Sequence, residues 1–282
     1  MSEAADIVKG IDHLIVMVGD LDRSQRTWQA LGFQTTPRGF HQTGGTANHL
    51  IMLDRTYIEL LGMADLSAAS AYRATMEENP GLAGLALRGS AAETHRFWSA
   101  QGLEPSPPES LARGVEIGGR AEVARFGLTK LQRSRELPFL LFCCDQLTPQ
   151  FVWQEGASAH PNGARSLEEL VIVVDDAQTQ TAFERLTGRR VSNSEGGSSL
   201  SLGECRITFL SPDAFLRRFG SEAGFRIGAR PTLAACVVKT SDMQRARQFA
   251  QTAGWRIHET SSGGVAVHLP PEGVVIEWSP PT

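Results

Sequence analysis

Apolar residues in this chain fall into short runs with two alternating periods. Ile11 to Val18 is a run of aliphatic and β-branched residues, as a buried strand requires. From Asp20 to Leu31 the spacing becomes helical, with Leu21, Trp28 and Leu31 on one stripe, Asp20 as N-cap and Gly32 just past the end. Further strands follow and close on Thr56-Tyr57-Ile58-Glu59-Leu60-Leu61. The stretch from Gly10 to Met63 thus predicts one βαβββ module. Two polar residues are set into its strands, His13 in the first and Glu59 in the last.

The same module recurs three more times. Helices of similar make-up run from Ala91 to Gln101, Ala177 to Thr187 and Met243 to Ala253, ending at Gly102, Gly188 and Gly254. Each carries an aromatic about one turn before its glycine: Trp28, Trp98 with Phe97, Phe183 and Phe249. Apolar strands precede them at Leu82 to Leu87, Leu170 to Val174 and Leu233 to Val238. Closing strands lie at Tyr57 to Leu61, Phe139 to Cys143, Arg206 to Leu210 and Val274 to Trp278. A glycine pair precedes the closing strand of every module (Gly44-Gly45, Gly118-Gly119, Gly196-Gly197, Gly263-Gly264), which is a hairpin signal repeated in register.

Gln146 to Ser166, with Pro149, Pro161 and Asn162-Gly163, reads as the connection between two domains, 1–148 and 149–282, of two modules each. Phe215 to Arg230 is a second connector, whose Phe215-Leu216-Arg217-Arg218-Phe219 predicts a short surface helix. A module of this kind covers one sheet face with its helix and leaves the other open, so two modules side by side form a cup. The fold class is α+β, with four modules pairing into two cup-shaped mixed sheets.

Composition narrows the function. A hydrophobic share of 41%, a charged share of 21%, a net charge of −4 and a pI near 6.0 describe a soluble globular chain with no field for nucleic acid or an anionic membrane. The opening Met1-Ser2-Glu3-Ala4-Ala5-Asp6 is acidic without an apolar core, and no apolar stretch is long enough to span a bilayer, so the cytoplasm is expected. Cys143, Cys144, Cys205 and Cys236 form no C-x-x-C pair and read as small buried hydrophobes. Phosphate-loop, dinucleotide and nucleophile-elbow motifs are missing; Ser194-Glu195-Gly196-Gly197-Ser198 is a hairpin turn.

The repeated unit and the opening Gly10-Ile11-Asp12-His13-Leu14-Ile15-Val16-Met17-Val18 resemble the vicinal oxygen chelate superfamily. Gly45-Thr46-Ala47-Asn48-His49-Leu50, Tyr57-Ile58-Glu59-Leu60-Leu61 and His160-Pro161-Asn162-Gly163-Ala164 resemble its glyoxalase-like domain proteins. The resemblance covers nearly the whole chain. It implies the glyoxalase/dihydroxybiphenyl dioxygenase-like fold, but not one reaction. Metal-dependent members hold their ion with side chains on the first and last strands of paired modules. Those positions here read His13, about Ala83, Glu169 and Ala235 on first strands, and Glu59, about Phe142, Thr208 and Glu277 on last strands. Only the first module keeps both ligand types. No histidine stands in the third and fourth modules at these positions, which argues against ring-cleaving dioxygenase chemistry.

Period-2 alternation puts His13, Ile15 and Met17 on one strand face, and Tyr57, Glu59 and Leu61 on another. If both faces line the cup, His13 and Glu59 approach each other. An imidazole and a carboxylate suit Zn²⁺, Mn²⁺, Fe²⁺ or Ni²⁺ but need a third ligand. Glu277 supplies it if module one packs against module four; if it packs against module two, Ala83 and Phe142 supply nothing. Alternatively His13 is a buried structural histidine, or forms an acid/base dyad with Glu59. Pocket candidates are His49, Tyr57, Met17, Trp153 and His268. His41 reads as solvated and His160 as a turn residue. Two functions follow as expectations: a small-molecule enzyme whose divalent metal polarises a substrate oxygen in lyase or isomerase chemistry, or a metal-free binder of an apolar ligand. A homodimer is compatible with either.

Overall fold

The computed structural model describes residues 7–41, 45–64, 73, 76, 81–194, 196–227 and 231–281. Gly44, Glu195 and the acidic opening, all read above from sequence, lie outside the described residues. In the first half, strand β1 (Gly10–Met17) leads into helix α1 (Leu21–Ala30) and strands β2 (Gly39–Phe40), β3 (Thr46–Met52) and β4 (Tyr57–Met63). Then β5 (Gly81–Arg88) and α2 (Ala91–Ala100) lead into β6 (Glu109–Ile117), β7 (Arg120–Leu131) and β8 (Leu140–Gln146). The second half repeats this with β9 (Ala164–Val173), α3 (Gln178–Thr187), β10 (Ser192–Ser194), β11 (Gly197–Leu202) and β12 (Cys205–Leu210). After helix α4 (Pro212–Phe219) come β13 (Thr232–Thr240), α5 (Met243–Thr252), β14 (Ile257–Glu259), β15 (Val265–Leu269) and β16 (Val274–Ser279).

The strands form two eight-stranded mixed sheets, ordered β2-β3-β4-β1-β5-β8-β7-β6 and β10-β11-β12-β9-β13-β16-β15-β14. Module one therefore sits beside module two, joined by the antiparallel pairing of β1 with β5, and β9 with β13 joins three and four in the same way. Within each module the helix carries the chain across, so the first strand runs parallel to the last. Local sequence explains the helices. Asp20 and Asp242 accept from the backbone N–H groups of Arg23 (2.9 Å) and Arg245 (3.0 Å), and Gly32, Gly102, Gly188 and Gly254 end the helices with positive φ. Arg120 follows Gly118 and Gly119, whose φ values of 56° and 77° make the tight turn of the long β6–β7 hairpin.

One hydrophobic core joins the helix-bearing faces of both sheets. The repeated helix aromatics Trp28, Trp98 and Phe183 are fully buried in it beside Trp278, and the Trp98 indole donates to Leu186 O at 2.9 Å across the two halves. Burial of each such ring contributes on the order of 2 kcal/mol or more. Smaller apolar clusters lie on the opposite, concave faces, one per sheet. In the first sheet the outermost strands approach each other, and His41 bridges Arg113, so the cup is almost closed into a ring. The second cup is plugged in part instead, and a more open hollow of about 670 Å³ remains beside Glu169 and Glu277. Phe215 and Phe219 of α4 are fully buried against Val171, Val237 and Val275, so the helix expected at the surface plugs a sheet. The reason is its amphipathic spacing, which turns both rings one way. Among the described residues, no helix is long and apolar enough to cross a membrane.

The two halves are stitched at Gly81, where φ is +87° and an added Cβ would lie 2.3 Å from Gly273 O, the acceptor for Leu82 N–H. Gly81→Ala is expected to cost about 2–4 kcal/mol in urea denaturation. A midpoint within experimental error of the parent would show that this junction is not held as described.

Candidate functional site

The concave face of the first sheet encloses a cavity of about 280 Å³, lined by His13, His41, Asn48, Tyr57, Glu59 and Arg113 with apolar walls. Each polar residue arrives by a distinct route. His13 and Glu59 come from β1 and β4, which pair in parallel at the centre of the sheet. Their rims meet, with His13 Nε2 lying 3.8 Å from Glu59 Oε2. Asn48, on β3, donates to Glu59 Oε1 at 2.6 Å and accepts from Arg113 at 3.1 Å. Ring closure adds His41, whose Nε2 is 3.7 Å from Glu59 Oε1.

Asp12 fixes how His13 is presented. Strict alternation would send consecutive residues to opposite faces, but a register shift between Ile11 and His13 in the pairing with β5 brings Asp12 to the imidazole. Asp12 is fully buried and its Oδ1 lies 2.7 Å from His13 Nδ1. A carboxylate can only accept, so the Nδ1 proton points at Asp12 and Nε2 is the ring nitrogen turned toward Glu59. Tyr57 stacks on the ring, with centroids 4.4 Å apart, and Phe142 meets it edge-on. His41 is held through Nδ1 on Thr46 Oγ1 (2.8 Å), and burial lowers its pKa, leaving the imidazole neutral at neutral pH.

His13 Nε2 and His41 Nε2 each face the Glu59 carboxylate on the wall of one cavity, and these residue types suit a divalent ion of borderline softness. Among the described residues, the one grouping of three whose ligand atoms all lie within 4.8 Å of one another is Asp12, His13 and Cys144. It is the poorer set. Burial pushes the Cys144 thiol well up, helped by the Asp12 charge, and His13 Nδ1 is already engaged by Asp12. All four cysteines are free and buried, and Cys143, Cys205 and Cys236 are pushed up to about 12 by burial.

Other candidates lie elsewhere. Glu277, considered as the third ligand, belongs to the second sheet, because module one pairs with module two. His268 shares that second sheet and sits 6.0 Å from His258. His49 alternates with Asn48 and Leu50, so it points out of the cup, where it contacts Thr36 O at 2.8 Å. Met17 belongs to the apolar floor beneath the cup, and Trp153 packs edge-on against Tyr57 outside the cavity. His160 is structural: it accepts from Gln34 N–H at 2.9 Å and donates to Met52 O at 2.7 Å. Asp12, His41, Asn48 and Arg113 are the site residues that sequence reading did not single out.

The second cup holds the corresponding acidic pair, but an arginine occupies its centre. Arg218 of α4 donates to Glu169 at 2.8 and 3.1 Å and to Glu277 at 2.7 Å. Burial would raise the Glu169 carboxyl, yet the hydrogen bonds and charge of Arg218, with Thr208 and Arg206, hold it down at about 2. A carboxyl depressed from its ordinary 4.5 to about 2 adds stability that is fully present above pH 4.5 and lost as pH falls through 2. The contribution is on the order of 3 kcal/mol. Urea midpoints should fall across that window, and the slope should flatten in Glu169→Gln; an equally steep acid limb in the variant would contradict the assignment.

Comparison with known proteins agrees with this architecture. The family described as glyoxalase-like domain matches residues 11–187. Among curated proteins, no sequence matches closely enough to count as a relative. A hypothetical protein from Staphylococcus aureus superposes with a TM-score of 0.66 at 13% identity, over 96% of this chain and 99% of that one. A mutant 4-hydroxymandelate synthase from Streptomyces coelicolor gives 0.65 at 11% identity, over 96% and 92%. A xylose isomerase-like TIM barrel/4-hydroxyphenylpyruvate dioxygenase fusion protein gives 0.63 at 14% identity, over 97% of this chain and 49% of that one. At such identities the likeness is one of fold, the vicinal oxygen chelate fold. With more than half of its length matched, the chain belongs to the glyoxalase-like domain family.

Proposed function

We propose that this protein is a small-molecule enzyme of the glyoxalase-like family that works with one divalent metal held by His13, His41 and Glu59. The observation that carries the reading is the approach of His13 Nε2 to Glu59 Oε2, 3.8 Å apart on the wall of a buried cavity. With Nδ1 engaged by Asp12, Nε2 is the ring nitrogen left to meet an ion, and a cation between it and the Glu59 carboxylate satisfies both. When bound, such an ion supplies Lewis-acid polarisation of a carbonyl or enediolate oxygen, the chemistry of a lyase or isomerase.

The chain's own groups prepare the cavity for that chemistry. Asp12 and the stacked Tyr57 ring fix the His13 imidazole, and Asn48 orients the Glu59 carboxylate. Ile15, Leu50, Phe126 and Phe142 exclude water, which strengthens every charge interaction inside. Burial keeps the Tyr57 phenol protonated well above the usual range, so it serves as a hydrogen-bond donor rather than a base.

Dialysis of the purified chain against Zn²⁺ or Mn²⁺, followed by elemental analysis, should leave about one equivalent bound. His13→Ala and His41→Ala should each abolish it, and Asp12→Asn should weaken the affinity roughly 10- to 100-fold by freeing the imidazole. A chain that takes up no ion, or a His13→Ala variant that retains it, would overturn the metal and leave the cup as a metal-free binding site.

A further inference from the structure

We infer that Arg113 is an anchor for a substrate carboxylate, so that the compounds this cup accepts are small organic anions with an apolar or aromatic body. The inference rests on the reading of this cup as the substrate site, and it adds the chemical class of the substrate.

Arg113 is only 7% exposed and lines the cavity. Among the described residues, its side chain makes one hydrogen bond, from Nη1 to Asn48 Oδ1 at 3.1 Å. Among the described residues, no carboxylate lies within ion-pair distance of it. A guanidinium has five N–H donors, and burying it without an anionic partner is costly. Asn48 stands between Arg113 and Glu59, taking the arginine on its carbonyl and the carboxylate on its amide, so the guanidinium keeps donors for something else.

The backbone makes room for this placement. An added Cβ at Gly39 would lie 2.5 Å from Asn48 Oδ1 and 2.8 Å from Arg113 Nη1, so the two side chains pass across a bare glycine. The bridge between His41 and Arg113 fixes the strand that carries the arginine. The other cation on the wall, Lys130, is more than a third exposed and already paired with Glu109, as a rim residue would be. Around Arg113 the walls are apolar: Leu111, Leu128, Leu140 and Phe142. One buried fork-shaped cation beside the apolar walls of this cavity matches a planar carboxylate on a hydrocarbon body. The single charge of Glu59 cannot neutralise both Arg113 and a divalent ion, and a substrate anion supplies the rest.

The test is titration calorimetry of the full chain with matched pairs, phenylacetate against phenylacetamide and hexanoate against hexanamide, in parent protein and in Arg113→Met. Metal content is measured on the same samples. The expected result is that the parent binds each carboxylate at least about tenfold more tightly than its amide. Arg113→Met should lose that preference while keeping its ion and its amide affinity, and Arg113→Lys should restore part of it. Equal binding of acid and amide by the parent, or no binding of either, overturns the anchor. So does a preference that survives in Arg113→Met and vanishes on metal removal, because the ion is then what reads the charge. Failure of metal uptake alone, with the Arg113-dependent preference intact, would sink the metal reading and leave the anchor standing.

Discussion

The antiparallel pairing of β1 with β5 decides what this molecule can do, because it sets which two modules share a cup. Backbone hydrogen bonds along that pair place module one beside module two, and the neighbours that His13 gains from module two, Phe142 and Cys144, follow from that choice. The same pairing contains the irregularity at Asp12. Without it, alternation would turn the carboxylate to the helix-bearing face, and the imidazole would have no partner to hold its tautomer.

The two halves show what one topology does with different plugs. Each sheet carries acidic side chains on its concave face, and a buried carboxylate needs a cation or several donors. In the second half Arg218 meets that need from within the chain, bringing Phe215 and Phe219 with it, and part of the hollow becomes core. The first half is arranged differently. There Asn48 keeps Arg113 from collapsing onto Glu59, and the charges remain arranged around open space. Duplication of the module thus leaves two differently furnished cups on either side of the common core between the sheets.

How much of this was legible follows from how local each feature is. Helix caps, terminal glycines and the repeated aromatics act within one or two turns, so the modules could be read from sequence. The nearness of His13 and Glu59 follows from period-2 alternation on strands of one module. Other site residues depend on long-range events that leave no local trace. His41 sits beside glycines and reads as solvated until ring closure brings Arg113 onto it. Arg113 comes from the second module, at a strand position with no ligand signature. Glu277 failed as a partner for His13 because pairing order is a property of the whole sheet. The helix at Phe215 reads as exposed because its arginines are visible in the sequence and the two carboxylates that receive Arg218 are not adjacent to it.

The central claim is that His13 and His41 face a common cation with Glu59, while Asp12 and Cys144 stay behind the imidazole. X-ray absorption at the metal edge of the zinc- or cobalt-loaded protein tests this most directly. The account predicts a first shell of nitrogen and oxygen at about 2.0–2.2 Å with two imidazole scattering patterns and no sulfur. A sulfur scatterer near 2.3 Å, which only Cys144 among these residues could provide, or a shell with a single imidazole, would contradict it.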